Sequence, residues 1–270
     1  MPAADLTFAP APSWRPRVLA ALAALLAFGL LWHGPIAQWP DYHAFADRRT
    51  WLGIANAADV LSNLPFALVG AWGLLRFARA PAAAPGRAAW LVFCAALVCT
   101  AVGSAVYHLA PDNTTLLADR LPIAWACAAL LCAFGAERWD RRWSGAAALG
   151  AALAAGTVAV AYWAWTEHVG GGDLRPYLFV QFLPMLLVPA ALWLEALTPA
   201  QRRPAVTPAS AWWIVLGFYV AAKVFEVLDH AVFDTIGLLG GHTLKHLLAA
   251  AGAGWLVRAA FAAISCGSRR

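Results

Sequence analysis

The stretch AAWLVFCAALVCTAVGSAVYHL, residues 88–109, contains no acidic residue, no lysine and no arginine. About 20 predominantly apolar residues in helical form are needed to cross the hydrocarbon core of a bilayer. In lipid the backbone must satisfy its own polar groups, which favours a helix for an apolar run of this length. The stretch therefore predicts a transmembrane helix, with Ser104 and His108 near its carboxyl end.

Seven other segments have the same character, and short loops rich in proline, glycine or charge connect them. The sequence thus predicts an all-α, polytopic transmembrane helix bundle with eight spans, at residues 18–37, 57–79, 88–109, 116–136, 144–166, 174–198, 209–230 and 241–263.

The composition supports a membrane protein. Hydrophobic residues make up 62% of the chain, charged residues only 12%, and the mean hydropathy is +0.66. Soluble domains carry about 25% charged residues. The net charge of +5 comes from basic residues scattered through short loops, so we predict no nucleic-acid partner. Four of the five cysteines lie within spans without CxxC spacing and are interpreted as small apolar residues.

The distribution of basic residues predicts the orientation. The side that receives both termini and every second loop holds 13 of the 19 lysines and arginines. The positive-inside rule places this side in the cytoplasm. The first span follows Arg15 and Arg17 and lacks a convincing A-x-A cleavage site, so we favour a retained helix over a signal peptide.

Two pairs of polar residues have helical spacing. His242 and His246 lie four residues apart at the start of the eighth span, so one helix face can present both imidazoles to a metal ion. Ser104 and His108 form a second such pair, and Asp119 follows eleven residues later. An isolated HxxxH motif often arises by chance. A single interfacial histidine more often packs and makes one hydrogen bond than binds a metal.

The alternation of spans brings these pairs together. The third span ends on the side where the fourth and eighth begin, so His108, Asp119, His242 and His246 are expected at similar depth. Ionisable groups in a membrane usually mark function. Three histidines with an open position are typical of catalytic zinc, and a nearby carboxylate can accept a proton from water at the metal. Ser104 is placed to bind that water or an oxyanion.

This arrangement resembles the alkaline ceramidase family. The resemblance rests on the S-x3-H motif, Asp119 and the terminal H-x3-H, and it extends to ADVLSNLPFALVG at 58–70 and RPYLFVQFLP at 175–184. It covers about residues 42–263. It implies that residues 1–40 form a tail and an additional helix, and that residues 41–270 form a seven-helix domain.

The resemblance also implies an activity. Zinc would be bound by His108, His242 and His246, with Ser104 and Asp119 acting on the water at the metal. The expected reaction is hydrolysis of the N-acyl bond of ceramide or a related membrane lipid, giving a fatty acid and an amine-bearing base. The abundance of alanine and arginine favours a bacterial source, hence the inner membrane, with the zinc site near the non-cytoplasmic face.

Two further groups of residues carry weaker expectations. Family members of the eukaryotic type have an acidic calcium-binding segment before the first core helix; the corresponding stretch here has the oxygen donors Asp41, Asp47, Asn56 and Asp59, but also Arg48 and Arg49. Calcium prefers several carboxylates, so an amphipathic interfacial loop is the competing interpretation.

The seventh span contains Lys223 and Glu226, which are predicted to neutralise each other. Asp229, at the zinc-side end, is predicted to hold the imidazole of a ligand in one tautomer.

Two alternative functions are compatible with parts of this pattern. A receptor-like seven-span protein would have a structural or weakly hydrolytic zinc site and would not need Ser104 and Asp119 beside the metal. A proton-relay transporter would have charged residues spread through the membrane depth, whereas here they are predicted to cluster at one side.

Overall fold

A computed structural model of the chain describes residues 14–197 and 207–267. Ten α-helices are found there, and the only β-type pairing in these ranges is the isolated bridge between Trp51 and Ile54. The helices are α1 (Trp14–His33), α2 (Ala57–Leu61), α3 (Leu64–Ala78), α4 (Arg87–Leu109), α5 (Asn113–Arg138), α6 (Ala146–His168), α7 (Arg175–Ala196), α8 (Ala209–Val227), α9 (Asp229–Ile236) and α10 (Gly241–Gly267).

The predicted fold class is confirmed. Eight helical segments are long and apolar enough to cross a membrane, counting α2 and α3 as one span. The protein is therefore a multi-pass membrane protein. Four arginines used to predict its orientation lie outside the described residues: Arg202, Arg203, Arg269 and Arg270.

The outer surface of the bundle is apolar, as lipid requires. Large hydrophobic side chains are widely exposed on the helices, including Leu25, Phe28, Leu68, Val158 and Trp193. Many polar side chains are instead buried, including those of Asp59, Ser104, Arg120, Asp229 and the histidines described below. This distribution is expected when the solvent is hydrocarbon and polar groups must find partners inside the protein.

The second predicted span, residues 57–79, is interrupted. The helix stops after Leu61 and restarts at Leu64, because Pro65 lacks a backbone N–H and disfavours helical geometry in the residue before it. The side chains of Ser62 and Asn63 turn back to donate to the carbonyl of Asp59, at 2.9 and 2.8 Å. Ser62 therefore lies between two helices and not inside a regular one.

The seventh span ends three residues earlier than predicted. Helix α8 stops at Val227, and the short helix α9 begins at Asp229 and ends before Gly237, whose φ is +69°. Glycine adopts this left-handed conformation without steric cost. The break at Leu228 places Asp229 at the head of a new helix instead of the tail of a span.

Close packing aligns the helices that carry the Ser104–His108 and His242–His246 pairs. Helix α4 packs between α3 and α5, while α10 packs against α3 and α8. A Cβ atom on Gly70 would lie 2.6 Å from the carbonyl oxygen of Cys94, so only glycine allows α3 this close to α4. The carboxyl end of α4 consequently meets the amino end of α10. Helix α1 packs against α7.

Candidate metal centre and lipid cavity

The three predicted ligands converge at this meeting point. His108 comes from the last turn of α4, and His242 and His246 come from the first two turns of α10. One candidate ligand atom from each lies within 4.8 Å of the others. The ring centroids are separated by 4.8 Å (His108–His242), 5.0 Å (His108–His246) and 4.8 Å (His242–His246). The group is suited to hold one metal ion.

The ring of His108 supports this interpretation. The residue is only 1% exposed, and neither ring nitrogen has a hydrogen-bond partner. Leaving a buried polar atom unsatisfied costs about 1–3 kcal/mol. A metal ion bound by one of these nitrogens would remove part of that cost, so the residues present fit a three-histidine centre.

His246 is held in one orientation by a residue that sequence reasoning did not select. Its Nδ1 lies 2.8 Å from the hydroxyl of Ser62, which in turn donates to the carbonyl oxygen of Asp59 at 2.9 Å. Because the single hydroxyl proton is used on that carbonyl, Nδ1–H of His246 must be the donor. Its Nε2 therefore keeps a lone pair for a metal.

We expect Ser62→Ala to lower the affinity for a metal ion by about 10–100-fold, the usual effect of losing a partner that orients a metal-bound histidine. Competition with a metal-binding dye would measure the change. Thr100→Ala is the matched control, because the buried Thr100 hydroxyl bonds only the carbonyl of Ala96 in its own helix. Unchanged affinity in Ser62→Ala would contradict this role.

Ser104 and Asp119 lie together beside the histidines. Their side chains interact, and both line the same cavity as His242 and His246. Gly103 makes the contact possible, since a Cβ atom there would collide with the carbonyl of Ala118. The start of α5 is set by Asp112, whose carboxylate accepts the backbone N–H of Thr115 at 2.7 Å in a capping box.

Asp229 differs from its predicted role. Its carboxylate accepts backbone N–H groups of His242 (2.8 Å) and Ala46 (2.9 Å), and not the ring of a ligand. It joins α9, the first turn of α10 and the segment before α2. A Cβ atom on Gly241 would lie 2.8 Å from Cα of Asp229, so glycine allows this approach. Asp229 therefore positions the backbone that carries His242.

The segment between α1 and α2 covers the metal centre. Phe45 is buried and its ring lies 4.7 Å from that of His108 and 4.4 Å from that of His242. The side-chain amide of Asn56 donates to the carbonyl of His108 at 2.7 Å. These contacts exclude bulk water from one side of the centre.

The four calcium candidates lie in or next to this segment but have other partners. The Arg49 guanidinium binds both oxygens of Asp47 and holds the pKa of that carboxyl below its usual range. Asp59 accepts the Thr243 hydroxyl at 2.6 Å, and the amide of Asn56 is bonded as above. Asp41 lines the cavity.

Over the described ranges, the three histidines are the only set of three or more histidine, cysteine or acidic side chains arranged for a metal. The four calcium candidates do not form such a set, and calcium binding by them stays a prediction.

A cavity of about 980 Å³ opens beside the histidines. One face of α4 lines it through Phe93, Leu97, Thr100 and Ser104. At 1.5 Å per residue these positions extend about 16 Å along the helix from Ser104. Apolar side chains from α5, α7, α8 and α10 complete the far part, including Leu130, Val188, Trp212 and Leu256. The cavity has a polar end at the histidines and a long apolar end.

Charged residues also line the polar end. The predicted pair of Lys223 and Glu226 is confirmed as an ion pair. Sequence reasoning missed Lys245, whose ammonium lies 2.8 Å from the other oxygen of Glu226 and 3.3 Å from Nε2 of His242. Its place in the HTLKH motif, one residue before a ligand, was the available signal.

Fold and site together define a membrane-embedded protein with a three-histidine centre at the mouth of a lipid-sized cavity. The family model described as Ceramidase matches residues 51–257, most of the chain. The chain belongs to the ceramidase family. A search of curated proteins finds no significant match.

Proposed function

We propose that the protein is a zinc-dependent hydrolase that cleaves the N-acyl bond of ceramide or a related N-acyl lipid within the membrane. The observation that carries the proposal is the buried His108 ring, with two unpaired nitrogens, facing His242 and His246. Membership of the ceramidase family supports an amide hydrolase acting on a membrane lipid.

The cavity suits such a substrate. Its apolar part, lined by Leu97, Phe93 and Val188 among others, takes the acyl chain, while the amide lies at the polar end beside Asp119. Cavities of about 300–1,000 Å³ are typical of ligand sites. The covering segment around Phe45 keeps bulk water from the amide on that side, so charges there act in a medium of low dielectric.

Zinc, held by three histidines with one open position, would acidify a water molecule and polarise the amide carbonyl. Asp119 accepts the proton of the attacking water as its oxygen bonds to the carbonyl carbon. The same carboxyl then gives the proton to the leaving nitrogen as the C–N bond breaks. Ser104, which lines the cavity beside Asp119, donates to the negative charge that develops on the carbonyl oxygen. The products are a fatty acid and a free amine.

The proposed location follows from the topology prediction. Eight spans place both termini on one side, taken as the cytoplasm, and the centre near the opposite face of a bacterial inner membrane.

Purified protein incubated with ceramide and other N-acyl lipids tests the function. We expect equimolar fatty acid and amine by mass spectrometry, loss of both after chelation and recovery with added zinc. Zinc-loaded protein that releases neither product would favour the receptor-like alternative.

A further inference from the structure

The apolar part of the cavity ends at a similar distance from the polar end on three helices. Its lining residues lie within 93–104 on α4, 119–130 on α5 and 246–256 on α10. At 1.5 Å per residue, these three stretches are each about 15–17 Å long. Three helices that differ in direction therefore stop lining the cavity at about the same depth. We call this end the floor, and it is formed by Phe93, Leu130, Trp212 and Leu256.

Aromatic side chains close the floor. The positions that continue the lining faces of α4 and α5 are Trp90 and Phe134, and both side chains are fully buried. The ring of Trp212, near the start of α8, lies 6.0 Å from that of Trp90 and 5.0 Å from that of Phe134. Trp212 lines the cavity and is 1% exposed, so the other two rings lie behind it. Its indole is the surface on which a ligand chain entering from the polar end would stop.

The support behind Trp212 is tightly bonded. The indole N–H of Trp90 donates to the carboxylate of Glu137 at 2.8 Å, and the hydroxyl of Thr207, two residues before α8, donates to the same carboxylate at 2.9 Å. The ring of Trp90 also stacks on that of Phe77, with 5.7 Å between the centroids. Close-packed interiors resist a change of volume, so the floor does not recede before a longer ligand.

We propose that Trp212 limits the length of the acyl chain that the protein accepts, and that this limit lies close to a myristoyl chain. The inference rests on the proposed function, in which the acyl chain occupies the apolar end, and it narrows the substrate class. An extended polypeptide spans about 3.3–3.6 Å per residue over three backbone bonds, or about 1.2 Å per bond. A depth of about 16 Å therefore holds about 13 bonds, which join the roughly 14 carbons of a myristoyl group.

Fatty acids released from an equimolar mixture of ceramides that differ only in their acyl chain test this limit. Each buried methylene group strengthens binding by about fourfold, so kcat/KM should rise at least about tenfold from the octanoyl to the myristoyl lipid. It should fall by about tenfold at the stearoyl lipid, because the extra carbons have to displace packed side chains.

Two substitutions should move the maximum in opposite directions. Trp212→Leu removes the indole and should move it toward the palmitoyl and stearoyl lipids. Leu97→Trp fills the cavity about 10 Å from Ser104 and should move it toward the decanoyl lipid. Trp193→Leu is the matched control and should keep the wild-type profile, because Trp193 is 65% exposed on the outer surface of α7.

Binding of free fatty acids to the purified protein, measured by displacement of a fluorescent fatty acid, gives the same profile without hydrolysis. If no lipid is cleaved but affinity peaks at myristate and shifts as expected in both variants, the proposed function fails and the length limit stands. Cleavage with one unchanged profile in Trp212→Leu and Leu97→Trp would overturn the limit and leave the amidase intact.

Ceramides that differ in the sphingoid base provide a second comparison. If Trp212→Leu changes the preference for the length of the base and not for that of the acyl chain, the base occupies the floor and the inference is wrong. Leu97→Trp shortens the cavity without altering the floor, so its profile tests the limit even if Trp212→Leu does not fold.

Discussion

Replacement of His246 by alanine is expected to remove both the metal and the hydrolytic activity. His246 supplies one of the three candidate ligand atoms, and this atom is Nε2 because Nδ1 is bonded to Ser62. The two remaining histidines cannot form a three-ligand centre. Zinc contributes several kcal/mol to such reactions, and each 1.36 kcal/mol is tenfold in rate. We expect activity to fall at least about 10³-fold, with zinc measured by inductively coupled plasma mass spectrometry.

His230→Ala is the matched control. Its ring also lines the cavity but bonds the carbonyl of Ala44 at 2.8 Å and does not belong to the three-histidine group. This variant should keep its zinc. Size-exclusion profiles in detergent would show whether both variants fold. A folded His246→Ala protein with stoichiometric zinc would refute the assignment of this ligand.

Asp119→Asn is expected to separate catalysis from metal binding. The amide has nearly the shape of the carboxylate and keeps an oxygen that can accept a hydrogen bond, but it cannot take up a proton at neutral pH. Loss of general acid–base catalysis typically costs about 10²–10⁴-fold in turnover. Zinc content should stay close to that of wild type, since Asp119 does not belong to the converging group.

Asp112→Asn provides the control for this substitution. Asp112 caps the same helix about two turns earlier, and asparagine caps a helix about as well as aspartate, so turnover should be retained. The turnover of Ser104→Ala should lie between those of Asp119→Asn and Asp112→Asn if the Ser104 hydroxyl stabilises developing charge, a contribution of about 3 kcal/mol. Full turnover in Asp119→Asn would reassign the base, and zinc loss would make Asp119 structural.

The approach of the three histidines could be predicted from the order and direction of the spans alone. Four spans lie between the end of α4 and the start of α10. An even number of crossings returns the chain to the side that it left, so these two helix ends lie on the same side. That prediction includes no distance between the imidazole rings. Whether the rings meet depends on side-by-side packing of α3, α4 and α10, which glycines such as Gly70 permit.

Asp229 illustrates where prediction failed. Its position beside the ligands was predicted, but its partner was not, since a carboxylate near a histidine can bind either the ring or the main chain. The break after Val227 turns it toward the backbone N–H of His242. No glycine or proline stands between Phe218 and Ile236, so the sequence carries no breaker residue that would mark the break.

The sequence by itself determined the membrane class, the helical fold and the candidate ligands. In lipid a helix satisfies its own backbone, so a span is a local property that can be read from about 20 consecutive residues. The spacing of His242 and His246 on one helix face is equally local.

Only the tertiary structure decided which groups support and surround the centre. Ser62 meets His246 across 184 residues of chain, and Asp59 meets Thr243 across the same separation. Such contacts depend on helix rotation and depth within a few ångströms, which spacing along the sequence does not specify.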